Sequence, residues 1–238
     1  MGKKTRFHVS SKEAKEIVSL IEKMSYKFDT YQLFEDFLEM SAIAISNQVD
    51  WVHEKEREEQ YLKIIKRYSK EELDNFPKML VHLTMALKDG WSDVLGEVFH
   101  ALGLHNKYRG QFFTPFNVCV MMAKMLFGNI DEQIEKKGYL TMYEPCCGAG
   151  AMIIGAAKAI EDSGYDYKNQ FFTIATDIDK KCVLMCYLQL ALLGIPAVVI
   201  HGDSLTNKRW DTWYTPGFML NEKIAFDYFG INDAEKKG

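Results

Sequence analysis

Residues 140–152 read Leu-Thr-Met-Tyr-Glu-Pro-Cys-Cys-Gly-Ala-Gly-Ala-Met, and this order decides the fold. Residues 140–143 are a short β-prone run. Glu144 and Pro145 follow, then the turn Gly148-Ala-Gly150, then an apolar stretch over 151–160 that reads as a helix. Strand, glycine turn and helix in this order combine close backbone approach with free N–H groups, as a nucleotide-type ligand requires. Glu144 ahead of the turn, and Met152 and Ile153 behind it, set the stretch apart from the dinucleotide fingerprint. An acidic residue there suits a ligand with a cationic amine better than a pyrophosphate. Taken alone, Gly-x-Gly fits an ordinary strand-to-helix turn about as well.

Downstream, strands and helices alternate. Residues 171–176 read as a strand followed by Asp177-Ile178-Asp179, and residues 180–193 as its helix. Residues 197–201 are a third strand, followed by Gly202-Asp203-Ser204. A βαβαβ order predicts a parallel sheet with right-handed crossovers, half of a doubly wound α/β fold. Glu144, Asp177 and Asp203 then end successive strands and lie along one carboxyl edge, where such sheets bind ligands. Asp177 follows the glycine turn at about the distance of a carboxylate that grips two ribose hydroxyls. Asp203 is placed to accept from an exocyclic adenine amine, and Ile178 to pack on the ring. Any one acid fits a solvated loop, but three at one topological position fit it poorly.

Upstream, residues 10–104 carry helical periodicity without β-type alternation, an α-helical N-terminal domain over 1–106 ahead of the sheet domain over 107–238. Ser11 caps a helix bearing Ala14, Ile17, Ile21 and Met24. Pro77 marks a break or kink within 71–87, and Ser92 caps a helix over 94–104. Residues 106–114 combine cations, aromatics and Gly110, and Pro115 opens a helix over 116–127. An aromatic-Thr-Pro corner can pin a ligand, with Thr114 and backbone N–H groups for a carboxylate and Phe112 or Phe113 for packing. It also fits a linker with core aromatics.

Composition agrees with a globular chain. Of 238 residues, 47% are hydrophobic and 26% charged, enough for a sizeable core and one or two domains. A net charge of -4 leaves no global footprint for nucleic acid. The polar start over 1–6 is unlike a signal peptide. The longest apolar run, 183–200, is interrupted by Tyr187, Gln189, Gly194 and Pro196. Both point to a cytoplasmic protein without a membrane partner. The five cysteines show no Cys-x-x-Cys spacing and read as reduced thiols, with no metal site. Cys182 and Cys186 share a helical face that is more simply a buried one.

Four stretches, Gly110-Gln-Phe-Phe-Thr-Pro115, Tyr143-Glu-Pro-Cys-Cys-Gly-Ala-Gly150, Asp177-Ile-Asp179 and Gly202-Asp-Ser-Leu205, resemble in order and spacing the adenine-N6 DNA methyltransferases. The likeness spans residues 93–218 and is nearest to the modification subunit of type I restriction-modification systems, with its helical N-terminal domain. It implies a Rossmann-like methyltransferase sheet and S-adenosylmethionine as cofactor. By that resemblance Phe113, Thr114 and Pro115 hold the methionine end. Glu144, Cys146, Gly148 and Gly150 form the turn around its amino and carboxylate groups. Asp177 holds the ribose, and Ile178 and Asp203 the adenine.

Two departures limit the resemblance. The family's catalytic motif, Asn or Asp, Pro, Pro, then Tyr or Phe, ends strand four. It accepts hydrogen bonds from the target amine and stacks on a base flipped out of the duplex. Its nearest counterpart is Thr215-Pro216-Gly217-Phe218 after a strand over 210–214, so Thr215, Pro216 and Phe218 are the expected, degenerate catalytic residues. Loss of a preorganised hydrogen-bonding group costs about two to three orders of magnitude in rate. The second departure is length: only residues 219–238 follow, so the sheet is expected to stop after strand four. A homodimer mate or partner subunit would then complete the site. Contact with DNA would fall to Lys107, Arg109, Lys180, Lys181, Lys208 and Arg209. The expected function is an S-adenosylmethionine-dependent transfer of methyl to adenine in DNA. The alternative is an inactive cofactor-binding relative serving as partner subunit, sensor or anti-restriction decoy. A small-molecule or protein methyltransferase fits less well.

Overall fold

A computed structural model of the chain describes residues 9, 11–104, 114–127 and 130–230. The first half contains α1 (Lys12–Met24), α2 (Thr30–Ser46), α3 (Glu54–Ile65), α4 (Lys70–Leu73), α5 (Asn75–Asp89) and α6 (Val94–Ala101). Local caps set where these helices begin. Ser11 Oγ accepts from Ala14 N–H at 3.0 Å, Asp29 from Gln32 N–H at 3.0 Å, and Ser69 forms a reciprocal capping box with Glu72. The helix expected over 71–87 is two, broken at Asp74. Pro77 lies in the first turn of α5, where its missing N–H costs nothing. Asp93, not Ser92, caps α6: its carboxylate accepts from Gly96 N–H at 2.9 Å.

After α7 (Phe116–Leu126) and α8 (Ile130–Lys137), strands and helices alternate. They are β1 (Leu140–Glu144), α9 (Ala151–Asp162), α10 (Tyr167–Gln170), β2 (Phe171–Asp177), α11 (Lys180–Leu193), β3 (Ala197–Asp203) and β4 (Lys208–Tyr214). The helices α12 (Pro216–Met219) and α13 (Glu222–Phe229) follow. The sheet has the order β1-β2-β3-β4, and β1, β2 and β3 are parallel as the alternation predicts. β4 runs antiparallel to β3. A parallel crossover needs about a dozen residues, and the connection over 204–207 permits only a hairpin. Gly202 makes that hairpin possible, because a Cβ there would lie 2.4 Å from the Lys208 carbonyl oxygen.

One core runs from Phe34, Phe37 and Leu38 of α2, through Val183, Tyr187 and Leu190 of α11, to Phe171 and Ala175 of β2. The helices of the first half therefore pack directly on the α/β part; the 106/107 boundary itself lies outside the described residues. α11 is buried over residues 181–190, sandwiched between the sheet and the N-terminal helices. A helix covered along most of its length has no polar face, which is why its buried stretch is apolar apart from Lys181 and Gln189. Cys182 and Cys186 are free, buried thiols on it, as their spacing suggests. On the sheet's other face Tyr139, Phe172, Val198 and Ile200 pack beneath Phe218 and Ile224.

Buried Arg57 docks the α2–α3 corner onto β4. It donates to Asp50 at 2.7 Å and to the Thr212 carbonyl at 2.8 Å, and its guanidinium lies 3.9 Å from the Trp213 ring centre. The exposed edge of β4 is thereby blunted by a charge. No helix among the described residues is long and apolar enough to cross a membrane.

Candidate functional site

The sheet register brings the three strand-ending acids to one edge. Glu144 lies beside Ala175, Asp177 beside His201, and Asp203 closes β3. Asp177 fastens the glycine turn to that edge. One carboxylate oxygen accepts from Gly148 N–H and the other from Asp179 N–H, each at 2.9 Å. Cys147 N–H donates to the Thr176 carbonyl at 2.9 Å, so the turn is tied to β2 at two points. Gly148 and Gly150 have φ of +53° and +98°. A Cβ on Gly150 would also sit 3.1 Å from Cys186 Sγ, so this turn requires glycine for both conformation and space. Gly150 then begins α9 without any side-chain cap, which leaves the first N–H groups of that helix available.

The electrostatics favour a cation at one end. Burial raises the pKa of Glu144, and the neighbouring Asp177 charge raises it further, while the Cys146 N–H at 3.3 Å opposes this. Asp177 is also raised by burial, against the pull of its backbone N–H partners. Two partly buried carboxylates that repel each other gain from an incoming ammonium group. Asp203 differs: the Thr206 hydroxyl and the Leu205 and Thr206 N–H groups hold its pKa low, so it is an ionised acceptor. Ile178 is 66% exposed beside Asp177, an apolar face at the same edge.

Thr114 and Pro115 are exposed at the start of α7, with Pro115 at its N-cap. α7 packs tightly on α9, since Gly155 brings the Cys119 backbone within 3.0 Å of where a Cβ would be. Burial, and after it the Asp93 charge, push the Cys119 thiol up to about 11. Phe113, Lys107 and Arg109 lie outside the described residues. Lys180 pairs with Glu39 at 2.6 Å and Lys181 with Asp179 at 2.9 Å, so both cations are engaged within the chain. Lys208 and Arg209 are exposed on β4.

Thr215, Pro216 and Phe218 do not reach this site. Because β4 runs antiparallel, its end returns to the amino edge of β3, where Thr215 N–H bonds the Ala197 carbonyl at 3.0 Å. That is about 20 Å from the acidic edge, the length of a seven-residue strand. Thr215 is fully buried: its hydroxyl donates to the Ile195 carbonyl at 2.8 Å and accepts from Ala197 N–H at 2.9 Å. Phe218 is equally buried, stacked against Phe172 and Tyr214 at 5.5 and 5.6 Å, and no base can reach its ring. A Cβ at Gly217 would lie 2.7 Å from the Gly194 carbonyl oxygen, so this turn has room only for glycine. These residues form a helix cap and core packing.

Two residues that sequence reasoning passed over also shape the turn. Gln189 is fully buried on α11 and donates to the Ala149 carbonyl within the turn at 2.8 Å. The same amide nitrogen donates to Asp93 at 2.8 Å. The available signal was a single glutamine inside an otherwise apolar helix, which in a buried setting requires partners.

The model of a family described as N-6 DNA Methylase matches residues 91–229. No curated protein matches the chain. Among solved structures, a Listeria monocytogenes protein described as a class I S-adenosylmethionine-dependent methyltransferase is similar at 14% identity and a TM-score of 0.44. The match covers 83% of this chain and 55% of the other, so the chain spans just over half of that protein's length. With more than half of its residues matched, including β1 and the glycine turn, the chain belongs to the N-6 DNA methylase family.

Proposed function

We propose that the chain binds S-adenosylmethionine along the carboxyl edge of β1, β2 and β3, as the cofactor-holding part of an adenine-N6 DNA methyltransferase. The observation that carries this is the alignment of Glu144, Asp177 and Asp203 along one sheet edge, beside a glycine turn that Asp177 itself holds. The residues fit the cofactor's chemistry. Glu144 suits its ammonium, and the open start of α9 its carboxylate. Asp177 accepts from the backbone N–H groups of Gly148 and Asp179, and its remaining lone pairs suit ribose hydroxyls. Ile178 and the ionised Asp203 suit the face and amine of an adenine. When bound, the cofactor supplies an electrophilic methyl; the protein's part is orientation and charge complementarity.

The burial of Thr215 and Phe218 favours a specific form of this reading. In open α/β sheets ligands bind in the crevice where the strand order reverses, and among the described residues β1 is an edge strand with no further strand beside it. A partner subunit or second copy, as in a type I modification complex, would supply the other wall and the groups that meet the target base. Without it the chain would act as a cofactor-binding subunit or sensor.

Titration calorimetry with S-adenosylmethionine tests the reading. Binding by the wild type and its loss in Asp177→Ala are expected; no binding, or equal binding by both, refutes it. Labelled cofactor incubated with DNA, with and without co-purifying partners, tests whether adenine is methylated.

A further inference from the structure

The amide of Gln189 joins three elements. Its oxygen accepts from Leu95 N–H at 3.1 Å, in the first turn of α6. Its nitrogen donates to Asp93 Oδ1, the cap of the same helix, and to the Ala149 carbonyl between the two glycines, both at 2.8 Å. Both N–H bonds and one oxygen lone pair are used, and this set of partners admits a single orientation of the amide. Gln189 is fully buried and Asp93 nearly so. Asp93 is in turn held by Gly96 N–H at 2.9 Å. Gln189 touches no edge residue of the proposed cofactor site, yet it grips the backbone of the turn from behind. Asp177 grips the same turn from the front through Gly148.

We propose that Gln189, oriented by Asp93, is a positioning residue that holds the glycine turn in its ligand-binding shape and couples it to the N-terminal helices. The functional part of this rests on the cofactor reading above. Ala149 lies between two residues in left-handed conformation, Gly148 and Gly150, which without a fixed anchor have many other backbone states open to them. A buried donor aimed at the carbonyl between them selects one state, and a side chain with fewer hydrogen bonds leaves that carbonyl unmatched. The α6 N-terminus is bound through the same amide, so the clasp exists only while the helices of the first half are seated on α11.

The test compares Gln189→Leu and the milder Gln189→Asn with Leu188→Ala. Leu188 is a fully buried neighbour on α11 without hydrogen bonds to the turn, so its truncation controls for lost stability. The first readout is hydrogen exchange of the amides over 147–154, without any ligand. Both Gln189 variants are expected to exchange faster there, and Leu188→Ala to match the wild type at equal distance from its melting point. The second is S-adenosylmethionine affinity well below melting, expected to fall about tenfold or more in the Gln189 variants and little in Leu188→Ala. Unchanged exchange over the turn in both Gln189 variants, or equal acceleration in Leu188→Ala, overturns the positioning role. Faster exchange together with wild-type affinity overturns its link to binding. A wild type that exchanges as expected but does not bind the cofactor refutes the cofactor reading and leaves the clasp standing.

Discussion

Asp93 is a carboxylic acid in an apolar place, and its substitution by asparagine is a quantitative test of the core between α6 and α11. Burial lifts its pKa from 3.8 to about 6, with Glu97 adding a little, while Gln189 and Gly96 N–H pull the other way. The folded state therefore holds the proton more tightly than the unfolded chain. Stability from this group is greatest below about pH 4, falls as pH rises between about 4 and 6, and is level above. At about 1.4 kcal/mol per pH unit, the interval corresponds to about 3 kcal/mol. Asparagine is isosteric, caps a helix as well as aspartate, and keeps an oxygen for Gly96 N–H and Gln189, but it cannot ionise. Urea unfolding of wild type and Asp93→Asn at pH 4.5 and pH 7.5 measures the effect. The variant's advantage is expected to grow by about 2 kcal/mol between the two, since pH 4.5 already lies above the unfolded pKa. Other carboxylates raised by burial, such as Glu35, cancel in the difference. An advantage that does not change with pH, or a variant less stable at pH 7.5, would refute the assignment of Asp93 as a buried, reluctantly charged group.

Two further substitutions probe the corrected parts of the fold. Thr215→Ala removes bonds to Ile195, Ala197 and the cap of α12, and is expected to lower unfolding free energy by about 2–3 kcal/mol while S-adenosylmethionine affinity stays at the wild-type value. A specific loss of affinity, seen by calorimetry on the folded variant, would return Thr215 to the site. Arg57→Met leaves Asp50, 3% exposed, with the partly exposed His53 ring at 2.8 Å as its remaining side-chain partner, and is expected to cost about 3 kcal/mol in denaturant unfolding. A change under 1 kcal/mol would show that the contacts between α3 and β4 contribute little net stability.

Residues 140–152, the strand–loop–helix unit of β2 and α11, and the strand β3 determine the parallel strands and the acidic edge from sequence alone. Strand and helix periods are local, and parallel strands can be joined only by crossovers, so the loops after β1 and β2 and the turn after β3 must share an edge. The glycine turn, Asp177 and Asp203 were legible for that reason. Tertiary structure alone decided three matters. The direction of β4 follows from a connection too short to cross the sheet, and that direction moved Thr215 and Phe218 from an expected catalytic role to the opposite edge. The cap of α6 went to Asp93 because Gln189 of a distant helix shares its carboxylate. The role of Gln189 itself was invisible: its partners lie 40 and 96 residues away in the chain, and no local pattern announces a hydrogen bond of that span. The glycine turn is written in its own thirteen residues, but what holds it from behind is written only in the packing of α11 against α6.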